Sequence, residues 1–463
     1  MASNSYAAVM ARRDEILERS LGIDYTGLER DGGRFDHEAL MATAGLELDG
    51  IRQVQRDSGV GQTPLVELHN VTELMRREAG HGKGARILVK DEAANPSGSF
   101  KDRRASLSAH HASRAGYAGM IAATSGNYGA AVASQAAHYG LRAIVIQEAF
   151  DSCGRGQPEI LEKGRKCETL GAEVIQTTVG PELFYLLLRV LEETGYFNAS
   201  LYTPFSIRGI ETLGAEIAED TRALCGRDPD VVLATHAGGG MVTGTARGLR
   251  AVGAEHTRVV GVSVDLTGLH MASDRAFNRK SFTTGHSGFS IPFTSWPDRV
   301  DVPRNAARPL RYLDRFVLVT QGEVFFATEL LARAEGLERG PAGNTSLAAA
   351  IPLAAELDRD QVLVISETEC TGAGKAPTPQ LAFAAEMGVE VRNGAREENR
   401  PGEVISIPLS LRELGITPVD LDRLRSSYLK KAMAAPGAEA PEAQAFVAED
   451  LGFGVEDLAA LSA

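Results

Sequence analysis

The 463-residue chain has few cysteines and no long apolar run. Its four cysteines, Cys153, Cys167, Cys225 and Cys370, lie too far apart for the CxxC or CxxH spacing of a zinc site or for a small disulfide framework. No segment approaches the roughly 20 consecutive apolar residues that a membrane-spanning helix needs. We therefore expect reduced thiols, a cytoplasmic location, no metal site and no membrane partner.

Basic residues are fewer than acidic residues. Lys and Arg total 48 against 61 for Asp and Glu, so the formal net charge is −13. This acidic excess disfavours nucleic acid or an anionic membrane surface as the main partner. Residues 5–21 carry charges where a signal peptide would be apolar. The spacing of their apolar side chains instead predicts an amphipathic helix that docks on the core.

Glycine, in contrast, is abundant, with 49 residues in short clusters beside apolar runs. From about residue 85 these clusters separate β-branched runs from helical patterns. Such alternation is typical of an α/β fold with parallel or mostly parallel sheets. We predict strands at residues 86–91, 120–123, 142–146, 173–178, 231–235, 258–264 and 362–366.

The order of these strands and helices predicts two domains. Two strand–helix–strand units, one on either side of residue 200, suggest separate sheets with a cleft between them. We expect a discontinuous large domain of residues 1–105 and 226–432 and a small domain of residues 106–225. Residues 433–463 should form a linker and a C-terminal helix. Residues 266–315 lack periodicity, and so long an irregular segment usually has a function or is disordered.

The segment KDEAANPSGSFKDRR, residues 90–104, has the clearest chemical signal. A strand ends in the turn residues 95–98, and a helix is predicted to begin near residues 99–101. At a helix amino terminus, the positive end of the dipole and desolvation both disfavour the ammonium form of Lys101. A free amine there could form a Schiff base with a carbonyl group. The alternative is an ordinary surface lysine in a first helical turn.

The stretch NPSGSFKDR resembles the lysine motif of the fold type II pyridoxal-phosphate enzymes, which include threonine synthase, tryptophan synthase β chain, threonine deaminase and cysteine synthase. Upstream, GQTPL at residues 61–65 resembles the G-x-TPL segment of that family. TSGNYG at residues 124–129 resembles its asparagine loop. The resemblance implies a tryptophan synthase β-like fold and pyridoxal 5′-phosphate as cofactor. It also implies that Lys101 is the catalytic lysine that binds this cofactor covalently, in the large domain.

The asparagine loop lies between a predicted strand and a predicted helix. Its N–H groups can therefore face an anion at the helix amino terminus, such as a substrate α-carboxylate. The alternative is a simple N-cap. The resemblance implies a contact from Asn127 to the phenolic oxygen of the cofactor. It also implies that the substrate carboxylate is bound by Thr124, Ser125, Gly126 and Asn127.

A second glycine cluster, AGGGMVTG at residues 237–244, follows a predicted strand and opens a helix. Bare glycines allow backbone N–H groups to close on a phosphate. The resemblance implies that the cofactor phosphate is held by Gly238, Gly239, Gly240 and Met241. The alternative is a dinucleotide fingerprint, because Asp265 ends the next strand. The GxGxxxG spacing weakens that alternative.

The last predicted strand runs into ETECTGAGK, residues 367–375. In this region the family places a neutral hydroxyl or thiol beside the pyridine nitrogen of the cofactor. The TGAG stretch resembles the family's terminal T-G-x-G, but four extra residues separate it from Ser366. Thr371 is the first candidate for this cofactor-binding role, and Ser366, Thr368 and Cys370 stay open.

The family permits several reactions, so the fold alone does not name a substrate. Residues 5–25, the overall length and the central motifs also resemble the β subunits of pyridoxal-phosphate-dependent thiolases of ornithine degradation. That resemblance implies an acyltransferase that cleaves 2-amino-4-oxopentanoate with coenzyme A to acetyl-CoA and alanine. It also implies a small second subunit and a homodimerising core. The alternatives are a lyase or synthase similar to diaminopropionate ammonia-lyase or threonine synthase, and a non-catalytic cofactor-binding subunit.

Coenzyme A is large and anionic, so its site should include cations. The irregular segment offers Arg275, Arg279 and Lys280, which otherwise belong to an ordinary solvated loop. His286 is a candidate proton carrier near neutral pH, since an unperturbed histidine titrates there. His236, beside the second glycine cluster, is interpreted as a packing residue.

Overall fold

The computed structural model describes residues 4–124, 126–150, 154–156, 158–178, 180, 182–266, 282–283, 299–370 and 377–458. Two parallel or mostly parallel sheets organise these residues, and helices pack against both. The predicted α/β class is therefore confirmed. None of the described helices combines the length and the apolarity needed to cross a bilayer. The described cysteines, Cys167, Cys225 and Cys370, are free thiols.

The larger sheet has seven strands. They are β1 (Leu65–Glu67), β2 (Arg86–Asp91), β7 (Val231–Thr235), β8 (Arg258–Val264), β9 (Arg315–Val319), β10 (Val362–Glu367) and β13 (Thr417–Pro418). Their order is β1–β2–β10–β7–β8–β9–β13. The central pairs are parallel, and only β1 and β13 at the two edges pair antiparallel.

The smaller sheet has four parallel strands in the order β5–β4–β3–β6, namely β5 (Glu173–Thr178), β4 (Arg142–Phe150), β3 (Gly119–Thr124) and β6 (Phe197–Asn198). A separate parallel pair consists of β11 (Glu390–Asn393) and β12 (Val404–Ile407). All seven predicted strands are present. Three of them, β3, β4 and β10, extend beyond the predicted bounds.

The helices follow the predicted alternation with the strands. In chain order they are α1 (Tyr6–Ala11), α2 (Arg13–Leu21), α3 (His37–Ala42), α4 (Leu48–Asp57), α5 (His69–Arg76), α6 (Lys101–Arg114), α7 (Asn127–His138), α8 (Pro158–Thr169), α9 (Glu182–Thr194), α10 (Pro204–Cys225), α11 (Gly240–Ala251), α12 (Gln321–Glu335), α13 (Pro341–Glu356), α14 (Pro377–Glu386), α15 (Leu421–Ala432) and α16 (Pro441–Leu451).

Both ends of the chain dock on the core. The predicted amino-terminal helix is present as α1 and α2, with a break at Arg12. Leu17 and Leu21 are fully buried, and α2 packs against α9 and β6. The predicted C-terminal helix is present as α16, which begins at Pro441 because proline suits the first helical position.

Central strands of the larger sheet are apolar on both faces, as expected when helices cover both sides of a parallel sheet. In β10, Leu363 and Ile365 join one buried cluster with residues of α13. Val362 and Val364 join a second cluster with residues of α10 and α11. β10 is therefore packed on both faces.

The four strands of the smaller sheet fall between residues 106 and 225, and those of the larger sheet fall outside that range. Helix α10, however, contributes Ile210, Leu213 and Ile217 to an apolar cluster that also contains residues of the larger sheet. The predicted domain boundaries at 105/106 and 225/226 therefore stay a prediction.

A buried ion network joins β2, α6 and α10. Arg103 forms a bidentate pair with Glu92, at 2.6 and 2.8 Å, and a second pair with Glu216 at 2.8 Å. Lys90 lies 2.9 Å from Glu216 and 2.7 Å from Asp220. Burial opposes ionisation of Glu216, but the Arg103 and Lys90 cations lower its pKa below the ordinary value. This network holds α6, and therefore Lys101, against the sheet.

Glu216→Gln tests that network. The substitution weakens the charge-assisted hydrogen bonds that Arg103 and Lys90 make to this carboxylate, while Glu92 and Asp220 still balance both cations. We therefore expect the free energy of unfolding to fall by about 1.5–3 kcal/mol. The matched control is Glu219→Gln on the same helix, where the side chain is 44% exposed and pairs with Arg52 at 2.8 Å. The control should change stability by at most about 1 kcal/mol. Urea unfolding measures both, and equal losses would contradict the assigned role.

Candidate active site

The loop that precedes Lys101 is fixed by backbone pairing to the end of β10. The Phe100 N–H donates to the Thr368 carbonyl at 3.0 Å, and the Cys370 N–H donates to the Gly98 carbonyl at 2.8 Å. Gly98 has φ +77°, a left-handed conformation that favours glycine. Lys101 is the first residue of α6, so the predicted helix start is confirmed.

The environment of Lys101 favours a free amine. Its side chain is partly buried, and Nζ lies 4.5 Å from the centroid of the Phe100 ring. Burial, followed by the positive charges of Arg104 and Lys163, lowers the pKa of Lys101 well below its ordinary value, although Glu369 opposes the shift. A neutral amine is the form that attacks a carbonyl carbon or accepts a proton.

The asparagine loop contacts the end of β10, the same segment that pairs with the loop before Lys101. Asn127 begins α7 after β3, and its Nδ2 donates to the Glu369 carboxylate. Thr124 Oγ1 accepts a hydrogen bond from the Gly126 N–H at 3.1 Å. A side chain at Gly126 would overlap Lys163, so only glycine fits there. Ser125 lies outside the described residues.

Glu369 and Lys163 are site residues that the sequence analysis did not identify. Glu369 is fully buried, and the Lys163 ammonium lies 3.6 Å from it while also contacting Glu159. Burial opposes the charge of Lys163, but the two carboxylates raise its pKa above the ordinary value. In the sequence SETE, residues 366–369, carboxylates alternate with hydroxyls, and this pattern is a signal that could have identified Glu369. Nothing in the sequence links Lys163 to this site.

The second glycine cluster forms a bare backbone turn at the start of α11. Gly239 has φ +85° and caps the helix, which begins at Gly240. A Cβ at Gly238 would overlap the hydroxyl of Tyr202, and a Cβ at Gly240 would overlap the guanidinium of Arg104. The Met241 side chain is buried in an apolar cluster, so only its backbone can face a ligand at the helix terminus.

His236, just before this cluster, has the surroundings of a packing residue. Its ring is fully buried and packs edge-on to Phe316, with 4.7 Å between the ring centroids. Burial lowers the pKa of His236 to about 3, so it is neutral at physiological pH. These contacts support the packing interpretation.

The candidates for the pyridine-nitrogen partner differ in exposure. Ser366 is fully buried, and its Oγ has no hydrogen-bond partner among the described residues. The Thr368 side chain is also buried, whereas Cys370 is exposed. Thr371 lies outside the described residues, so the choice stays open.

The residues proposed for coenzyme A, Arg275, Arg279 and Lys280, lie outside the described residues, as does His286, the candidate proton carrier. Their roles stay a prediction.

The described residues fit pyridoxal 5′-phosphate. Lys101 offers an amine with a lowered pKa, and residues 238–240 form a turn with no room for side chains at a helix amino terminus. Arg104 lies one helical turn after Lys101 and reaches Gly240, so the lysine and the glycine turn lie close together. Ser366 supplies a buried hydroxyl that has no partner among the described residues.

The chain belongs to the family described as "Pyridoxal-phosphate dependent enzyme", which it matches over residues 56–368. The predicted family and cofactor are thus confirmed.

Two relatives extend this similarity to nearly the whole chain. Both are named 2-amino-4-ketopentanoate thiolase beta subunit. One, from an unknown prokaryotic organism, is 60% identical over 98% of this chain and 95% of its own length. The other, from Acetoanaerobium sticklandii, is 58% identical over 93% and 92%. A cysteine synthase structure from Entamoeba histolytica shares the fold, with a TM-score of 0.54 at 23% identity over 68% of this chain and 87% of its own.

Lys101→Ala should abolish the visible absorbance of the bound cofactor and reduce turnover. We expect turnover to fall by about 10²–10⁴-fold, the range for removal of a general base. The absorbance should disappear because the lysine also holds the cofactor. Absorbance spectroscopy and steady-state kinetics measure the two effects. Lys83→Ala, on a partly exposed lysine paired with Asp358, is the control and should behave as wild type. Wild-type turnover in Lys101→Ala would overturn the site.

Asn127→Ala should leave the cofactor bound but lower kcat. The expected contact from Asn127 to the phenolic oxygen of the cofactor would be lost while the glycine turn proposed for the phosphate is unchanged, so we expect kcat to fall about 10- to 100-fold. A cofactor titration followed by kinetics separates the two quantities. Unchanged kcat would reduce this loop to an ordinary N-cap.

Proposed function

We propose that this chain is the β subunit of a pyridoxal-phosphate-dependent thiolase that cleaves 2-amino-4-oxopentanoate with coenzyme A to acetyl-CoA and alanine. The observation that carries the proposal is the 60% identity over 98% of the chain to a protein named for that thiolase subunit. The similarity extends beyond residues 56–368, to which the general family match is confined. A threonine synthase from Halalkalibacterium halodurans, in contrast, is 27% identical over 63% of the chain.

The proposed reaction balances simply. The C3–C4 bond of the substrate breaks and a bond forms between C4 and the sulfur of coenzyme A. The thiol loses one proton, and one proton is added at C3, which becomes the methyl group of alanine. Bound pyridoxal phosphate supplies an electron sink that stabilises negative charge beside the amino group. Lys101, whose pKa is lowered by burial and by the nearby cations, would move the proton at the substrate Cα.

Substrate orientation would depend on the asparagine loop. Backbone N–H groups at the start of α7 suit the substrate α-carboxylate, because the positive end of the helix dipole lies there. Lys163 lies against Gly126 and adds positive potential behind the loop. Glu369 would hold the Asn127 amide in place and balance the charge of Lys163. We propose that Thr124, Ser125, Gly126 and Asn127 bind the carboxylate.

Coenzyme A binding would be shared with a small second subunit. The two most similar relatives described above are named as β subunits, which implies a further subunit in those enzymes. The acyl acceptor has to be held at C4 while Lys101 acts at Cα, and a misplaced thiolate loses the advantage of proximity. We propose a homodimerising core of this chain, with the second subunit completing the acceptor site, in the cytoplasm.

A two-part assay tests the proposal. The purified chain alone should exchange the α-proton of 2-amino-4-oxopentanoate with deuterated buffer, and it should form acetyl-CoA rapidly only after the small subunit is added. Nuclear magnetic resonance follows the exchange and chromatography follows the thioester, with Lys101→Ala as the inactive control.

Three outcomes would contradict parts of the proposal. Ammonia with a 2-oxo acid as products would indicate a lyase. No exchange with this substrate would remove the thiolase assignment. Rapid acetyl-CoA formation by the single chain would remove the role of the second subunit.

A further inference from the structure

Arg104 is a buried arginine at the candidate site that helps to lower the pKa of Lys101 but has no ligand assigned to it in the mechanism above. It lies three residues after Lys101 on α6, and its residue surface is 3% exposed. Its Nη1 donates to the Leu201 carbonyl at 2.7 Å, and its guanidinium carbon lies 5.6 Å from the centroid of the Phe100 ring. The side chain is therefore held in a defined position.

Arg104 forms no ion pair within the part of the chain that the structure describes, and its Nε has no hydrogen-bond partner there. In contrast, the fully buried Arg103 next to it pairs with two carboxylates, and the half-buried Arg247 pairs with Glu211 at 2.6 Å. Burial lowers the pKa of Arg104 to about 10, which still leaves it protonated at neutral pH. A buried cation without a counter-charge is costly, so an anion is needed beside it.

The guanidinium points at the glycine turn. A Cβ at Gly240 would overlap Nη2 and lie 2.9 Å from Nη1, so the nitrogen atoms lie directly against the backbone where α11 begins. The hydroxyl of Tyr202 lies in the same way against Gly238. An anion at this turn would meet helix N–H groups, a hydroxyl and a fork of guanidinium donors.

We propose that Arg104 binds the 5′-phosphate of pyridoxal phosphate directly and so supplies the positive charge that the backbone turn lacks. Arginine suits this role because its planar fork can donate two parallel hydrogen bonds to a phosphate. The inference rests on the family's cofactor and not on the thiolase reaction. A phosphate group could also come from coenzyme A, and the experiment distinguishes the two sources.

The test measures cofactor affinity in the apoprotein of the full chain. Arg104→Gln should weaken pyridoxal 5′-phosphate binding about 10- to 100-fold, as expected for loss of charge-assisted hydrogen bonds. Binding of pyridoxal, which has no phosphate, should stay within about threefold of wild type, which corresponds to less than one ordinary hydrogen bond. Arg104→Lys, which keeps the charge, should recover part of the affinity. Arg114→Gln, on the exposed last residue of α6, is the control and should change neither constant.

Two further readouts separate phosphate binding from a structural role. The urea midpoint of apo Arg104→Gln should equal or exceed that of the wild type, because an uncompensated buried charge is removed. The ³¹P resonance of the bound cofactor should shift in Arg104→Gln and not in Arg114→Gln.

The proposal would be overturned by equal losses of affinity for pyridoxal and its phosphate, or by an apo midpoint well below wild type. A weaker affinity for coenzyme A with an unchanged preference for pyridoxal phosphate over pyridoxal would assign Arg104 to the acyl acceptor instead. None of these measurements uses the thiolase substrate, so a failure of the proposed reaction would leave the result intact.

Discussion

The candidate site depends on the backbone pairing between residues 98–100, just before Lys101, and the segment at the end of β10. Two hydrogen bonds, from Phe100 to Thr368 and from Cys370 to Gly98, join the start of α6 to a central strand of the larger sheet. β10 is buried on both faces between two apolar clusters. The segment that follows it carries Glu369, which contacts Asn127 at the start of α7. One short stretch of chain thus aligns the lysine with the asparagine loop.

Electrostatics then give this alignment its chemical character. Burial and the positive charges of Arg104 and Lys163 disfavour the ammonium form of Lys101. Lys163 is itself balanced by Glu159 and Glu369, whereas Arg104 has no carboxylate beside it in the described residues. Bound phosphate would balance Arg104 and so reduce its effect on Lys101. Under the proposal that Arg104 binds the phosphate, cofactor binding and the basicity of Lys101 would be coupled through this arginine.

Local signals in the sequence were sufficient for seven of the thirteen described strands, for the helix that begins at Lys101 and for the glycine turn, whereas β1, β6, β9, β11, β12 and β13 were not predicted. Each depends on short-range features, namely β-branched runs, turn residues and bare glycines before a helix. Glu369 and Lys163 were not predicted as site residues, because they come together only when α8 and the end of β10 pack against each other in the folded chain. Arg103 and Arg104 are adjacent in sequence, but Arg103 pairs with carboxylates in the core and Arg104 faces Gly240. The two differ because neighbouring residues on a helix point in different directions.

The central claim is that Lys101, and not the neighbouring Lys163, carries the cofactor. The most direct measurement is borohydride reduction of the holoprotein, which fixes the imine, followed by peptide mapping by mass spectrometry. The account predicts that the cofactor mass is found on the peptide containing Lys101, whose lowered pKa favours the free amine. Attachment at Lys163, whose carboxylate partners favour its ammonium form, or at any other lysine would contradict it.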